Sequence, residues 1–138
     1  MASHLSSLEI RTEDVAALLC RLTSGTISEI HLDYVQRTYE RGCQIVGEQG
    51  TIFWDFDSQQ VRLFEAENRQ WVTFPQPAGW ELNQMYMDEM KYFVECVRAG
   101  ARTMLPIAEA VAVMQIAFAA KTSAREGRLV TTGREVLA

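Results

Sequence analysis

His31 and Asp33 stand two residues apart in the stretch ISEIHLDYV, and in a strand such residues share a face. That spacing would suit an acid/base pair or two ligands of a metal. Two ligands are too few without further His or Cys at usable spacing, so the sequence reads them as polar residues on a solvated or subunit-contacting face. The next chemistry-bearing group is Tyr34, Arg37, Tyr39 and Arg41, where the chain leaves a sheet edge and can project side chains towards a ligand. The competing reading makes Tyr39 a half-buried edge aromatic and Arg41 a surface ion pair with Glu40 or Glu48, worth under about 1 kcal/mol. Both readings stay open. Tyr86 and Met90 fall at helical spacing, where aromatic and Met residues ordinarily serve the core. Gly47-Glu48-Gln49-Gly50 lies between two alternating segments and reads as a turn. No Gly-rich phosphate cradle and no metal-ligand spacing occurs in the chain.

These residues must be positioned by a sheet. Two alternating segments flank Ser24-Gly25, and a two-residue turn there sets Leu19 opposite Ile30, Ala17 opposite Leu32 and Val15 opposite Tyr34 on a covered face. His31 and Asp33 then lie on the other face, together with Leu18, Cys20, Ile27 and Val35. Further strands are expected at CQIV, TIFWDF, VRLFEA and RQWVTF, with short edge strands at residues 8–10 and 129–132. Pro75, Pro77 and Gly79 end strand pairing. The period then becomes helical. Asn83 is the expected N-cap of a helix ending at Gly100, and Pro106 the first residue of a second helix ending at Gly127. That second helix, apolar on nearly all sides between residues 107 and 120, should lie between sheet and first helix or under a partner.

The expected architecture is therefore α+β: a largely antiparallel open sheet of about six strands, two main helices packed on one face, and the other face left for oligomerisation. Residues 1–138 form a single domain. The hydrophobic share of 48% allows a self-sufficient core, and 13 basic against 18 acidic residues, dispersed, offer no stripe for neutralising phosphates. Nucleic acid is not an expected partner. Three cysteines, odd in number and far apart, suit small buried hydrophobes in a reducing compartment. No secretory signal is visible, and the apolar run of residues 107–120 is too short for a bilayer of about 30 Å, so the chain is read as cytoplasmic, with no membrane partner.

A family resemblance spans nearly the whole chain. Leu32-Asp33-Tyr34, Gln36-Arg37 and Arg41, then IVGEQGTIFWDF, NQMYMDEMKYFVECV and AVAVMQIAFAAKTSAREGRLV, resemble the C-terminal domain of the glucose–fructose oxidoreductase, inositol dehydrogenase and rhizopine-catabolism (Gfo/Idh/MocA) family. The most specific feature is an ordered set: Ile-x-Gly-x-x-Gly-Thr at residues 45–51, Tyr-x-x-Glu-x-x-x-Phe at 86–93, and Ala-Ala-x-x-Ser-x-x-x-Gly at 119–127.

The resemblance implies a substrate-side and oligomerisation domain of an NAD(P)-dependent sugar or polyol oxidoreductase. In whole members an N-terminal dinucleotide-binding (Rossmann) domain precedes it, and substrate binds between the two. By this likeness the substrate-binding residues are Tyr39 and Tyr86, with a weaker carry-over to Arg41 and Asn83. The chain departs from the family in lacking the Gly-rich nucleotide fingerprint, the Glu-Lys-Pro motif with its catalytic Lys, and the Asp/His pair that precedes the sheet. At most half an active site remains. The expectation is no catalytic residue, no metal and no cofactor held by this chain alone. NAD or NADP belongs to a full-length enzyme, and the partners are the missing N-terminal domain, a small sugar or polyol, and further copies forming a homodimer or higher oligomer through the open sheet face. The alternative is a non-enzymatic binding or assembly module that kept the fold.

Overall fold

The computed structural model describes residues 1–133, and the chain divides into two units, Met1–Val35 with the chain from Ala99 onward, and Gln36–Arg98. The first unit holds a three-stranded antiparallel sheet of β1 (Ala2–Ser3), β2 (Val15–Arg21) and β3 (Ile27–Asp33), with β2 central, and a helix, α2 (Ile107–Glu126). The second holds a four-stranded antiparallel meander, β4 (Gly42–Gly47), β5 (Gly50–Asp55), β6 (Gln60–Glu65) and β7 (Gln70–Pro75), followed by α1 (Leu82–Ala99). The α+β content agrees with the sequence, but one sheet of about six strands does not form. The reason lies in the residues after β3. Asp33 Oδ1 accepts the Val35 N–H at 3.0 Å and Gln36 Nε2 donates to Glu40 Oε2 at 2.7 Å. Such local bonds offer the chain an alternative to a strand ladder, and β3 does not pair with β4.

The β2–β3 register also differs from expectation. Gly25 N–H bonds to the Leu22 carbonyl and Leu22 N–H to the Thr26 carbonyl, both at 2.9 Å, so the loop has three residues with Gly25 left-handed at φ 89°. This is the turn-plus-bulge solution rather than a two-residue turn, and the odd loop slips the register by one. Leu19 therefore opposes Glu29, and Leu18 opposes Ile30. Val15, Ala17, Leu19 and Ile27 share a face with His31 and Asp33, while Leu18 and Cys20 move to the other face with Ile30 and Leu32. Leu19 is exposed rather than covered.

In the meander, β5, β6 and β7 begin at residues 50, 60 and 70, a ten-residue repeat of strand plus loop that sequence reading missed. Its loops end in left-handed Gln59 and Arg69, at φ 50° and 52°. The registers align Ile45, Ile52, Leu63 and Val72 in one apolar row across all four strands, and Cys43, Trp54, Val61 and Phe74 in the next. Glycine is required at Gly50, where a Cβ would meet the Phe64 carbonyl oxygen at 2.1 Å.

Residues 8–10 and 129–132 are not strands, and β1 takes the edge position instead. Helix α1 starts at Leu82, so Asn83 lies inside its first turn rather than capping it, and Gly100 at φ 58° stands at the expected C-terminal position. Pro106 is the N-cap of α2, one place before its first helical residue, and Gly127 closes the helix in the left-handed region with its N–H on the Ser123 carbonyl. Neither helix covers a sheet face as expected: α2 has no buried residue, lies against β1, and ties back through Lys121 Nζ to Glu13 Oε2 at 3.0 Å. At 20 residues, α2 is by length and composition able to cross a bilayer, since a helix rises about 1.5 Å per residue. The expected shortfall in length does not hold.

Candidate functional site: an aromatic and arginine corner on the meander

The β4–β5 ladder runs one pair past its strands, because the Phe56 N–H donates to the Arg41 carbonyl at 2.9 Å. Alternation then places Arg41 and Phe56 on the face that carries Cys43 and Trp54. The Arg41 guanidinium sits 5.5 Å over the Trp54 ring. Trp54 stands edge-on to Phe56 at 6.5 Å, and Phe56 edge-on to Tyr39 at 5.3 Å. Arg41 and Tyr39 are thus brought together, not by direct contact but through two rings between them. Tyr39 is 69% exposed, so it is not the half-buried edge residue of the competing reading. No ion pair joins Arg41 to Glu40 or Glu48 among the described residues; Glu40 is engaged by Gln36.

The two candidates on α1 are not drawn into this corner. Asn83 and Tyr86 take part in no described hydrogen bond or ring contact, and Tyr86 and Met90 are exposed rather than core. Gln84, one residue on, spends its side chain on Asp88 at 2.6 Å, an ordinary helical i,i+4 pair.

Three clusters emerge that the sequence reading did not single out. On the opposite face of the meander, Arg62 lies 5.6 Å over Phe53 and 5.2 Å over Trp71, with Phe64 5.2 Å from Trp71. The shallow depression beside it is lined by Gln44, Asp55, Gln60 and Ser58. Asp55 is held below the usual carboxylate range, first by the Ser58 N–H at 2.6 Å, then by the Ser58 hydroxyl. The ten-residue repeat would have revealed this group, since it sets Arg62 opposite Phe53. Asp14, at 1% exposure, accepts the Leu5 and Ser6 N–H groups and the Ser6 hydroxyl, with His4 Nδ1 at 3.8 Å. The Ser6 hydroxyl is the main cause of its pKa falling to about 2. Glu13 likewise falls to about 2, through its own backbone N–H first and then Lys121. Nothing periodic marks either carboxylate in the sequence.

His31 Nε2 lies 2.9 Å from Asp33 Oδ2, so the carboxylate orients the exposed ring. Ala17 is the residue opposite His31, and among the described residues no Ser, Thr or Cys hydroxyl or thiol is hydrogen-bonded to the ring. Among the described residues no group of three or more His, Cys, Asp or Glu is placed to hold a metal.

Chemically, the corner offers ring faces for apolar C–H surfaces, a guanidinium donor and a phenol. Among the described residues no imidazole makes a ring contact or hydrogen bond with these four side chains, and the arrangement is one that can bind and orient a ligand. Among the described residues every strand pair is antiparallel, and no strand–helix–strand crossover places a Gly-rich turn at a helix N-terminus, the arrangement that holds a dinucleotide's pyrophosphate in doubly wound folds. Comparison with protein-family models, with curated proteins and with solved structures finds no match to this chain.

Proposed function

We propose that this chain is the substrate-side and oligomerisation domain of an NAD(P)-dependent sugar or polyol oxidoreductase of the Gfo/Idh/MocA type, inactive by itself. The observation that carries the reading is the corner of Tyr39, Phe56, Trp54 and Arg41, two of whose members are the residues that the family likeness assigns to substrate. A polyol presents C–H faces that suit such rings, and hydroxyls that suit a guanidinium and a phenol. Hydride transfer and the choice of NAD or NADP belong to a dinucleotide domain outside this chain, as does the catalytic base. Asn83 and Tyr86 on α1 belong to the substrate set by the family likeness alone, since no described contact joins them to the corner.

The test is calorimetry of the chain with a panel of sugars and polyols, followed by Tyr39→Ala and Arg41→Ala. Weak binding of one panel member, lost in both variants, is expected, with no heat from NAD or NADP. Micromolar NAD binding would overturn the division of labour. Polyol binding that survives both variants would move the site elsewhere. The second reading is a binding or assembly module without an enzyme partner, and the favourable observation is that the corner's described contacts are ring and cation–π contacts, which bind and orient. An upstream reading frame encoding a dinucleotide domain would decide against it.

A further inference from the structure

The meander leaves two outer edges, and they are not alike. In β4–β5 the bonded pair Arg41–Phe56 fixes the alternation, so Cys43, Ile45 and Gly47 exchange their backbone bonds with β5. The N–H and C=O groups of Gly42, Gln44 and Val46 then point away from β5, and no described hydrogen bond engages them. The same counting from the Gln76–Gln59 bond leaves Trp71, Thr73 and Pro75 on the outer side of β7, where Pro75 has no N–H to offer. In the other sheet, β3 carries Glu29 and Asp33 along its outer edge, and β1 has only two residues. Charges, proline and shortness are the devices that keep an edge from pairing with another chain. Among the described strands β4, Gly-Cys-Gln-Ile-Val-Gly, has none of them, and all six of its residues are exposed.

We propose that β4 pairs antiparallel with β4 of a second copy of this chain about a two-fold axis through Gln44, joining two meanders into one continuous sheet. The choice of a second copy rests on self-complementarity. Only the outward-facing residues can bond, and with Gln44 opposite Gln44 of the copy, Gly42 falls opposite Val46 and Val46 opposite Gly42. All three outward residues of each strand are then used, giving about six hydrogen bonds. The side chains fit the same arrangement. Val46, 73% exposed, comes to lie beside a glycine. Between the bonded pairs Ile45 faces Cys43 of the copy, so the two apolar rows of one meander run on into those of the next. Beyond each end Arg41 falls opposite Gly47 of the copy and Glu40 opposite Glu48, and the like charges of that last pair confine the pairing to the uncharged segment. This contact deepens the oligomerisation part of the proposed function and is independent of the substrate part.

Sedimentation velocity of the full chain at micromolar concentration is the test, with Gln44→Lys, Gln44→Glu and an equimolar mixture of the two. The wild-type chain should be a dimer. Each charged variant should dissociate about tenfold more readily, because like charges oppose across the axis, and the mixture should recover the dimer. Thr73→Lys on β7 should leave it intact. Far-UV circular dichroism checks that the variants fold. If they do not, Gln44→Cys with Cys43→Ser decides, by forming a disulfide between copies at residue 44 under mild oxidation. A wild-type monomer would overturn both the edge pairing and the oligomerisation reading. A dimer broken by Leu19→Glu on the His31 face, but not by the Gln44 variants, would overturn the edge pairing alone.

Discussion

The two sheets hold their strands by different means. In the meander, β5, β6 and β7 follow one another through loops of equal length, and each strand bonds to the one just made. In the three-stranded sheet only β2 and β3 are joined that way. The irregular chain between β1 and β2 is fixed instead by one buried carboxylate, Asp14, reaching back to Leu5 and Ser6, while Glu13 takes Lys121 from α2. Regular repetition makes the meander depend on backbone fit. The other unit depends on a few polar side chains, and so on pH.

The sharpest break of this contrast is Gly50→Val. A Cβ there collides with the Phe64 carbonyl, and a loss of about 3 kcal/mol or more is expected by thermal unfolding. Gly47→Ala, with its nearest contact at 3.8 Å, should stay within about 0.5 kcal/mol. Next comes Asp14→Ala, which strips the acceptors from Leu5 and Ser6. Hydrogen exchange at those two amides should rise steeply while the meander amides keep their protection.

The same carboxylate makes a pH prediction. The folded pKa of Asp14 is about 2, below the roughly 3.9 of an unfolded Asp. Its contribution is therefore complete above about pH 4 and is lost as the pH falls towards 2, and Glu13 follows the same sign. Protection of Leu5 and Ser6 should fade across that window, whereas Asp14→Asn should be flat. Smaller still is the stacking of Arg62 on Trp71, worth about 1 kcal/mol in a double-mutant cycle with Trp71→Ala. The smallest effect has the opposite sign: Arg69→Gly or Gln59→Gly relieves a left-handed backbone and should stabilise by about 0.5 kcal/mol.

Alternation carried the meander legibly, because each strand shows period two and each loop is rich in turn residues. The helix ends were legible to within a residue from Gly100, Pro106 and Gly127. The register of β2–β3 was not, since Thr-Ser-Gly serves a two- or three-residue loop equally well, with Gly25 left-handed in either, and only the Leu22–Thr26 backbone bond distinguishes them. Nor was the split into two sheets legible. It depends on Asp33 turning the chain at Val35, a local bond with no periodic signature. Tyr39 and Arg41 were singled out in the sequence as candidates, whereas Trp54 and Phe56, which the structure sets beside them, were hidden inside a strand pattern. What joins them is the pairing of Arg41 with Phe56, which no linear motif records.

The ten-residue repeat also has a consequence during synthesis. All pairings of the meander link neighbouring strands, so its contact order is low, the condition for rapid folding. Chains emerge from the ribosome at about 5–20 residues per second and fold as segments become available. The meander has its full set of bonds once Gln76 has cleared the exit tunnel, before either helix has emerged from it. The Glu13–Lys121 tie spans 108 residues and must wait for nearly the whole chain. In that interval the uncharged β4 edge of a nascent chain is already formed, and neighbouring ribosomes on one message would present two such edges side by side.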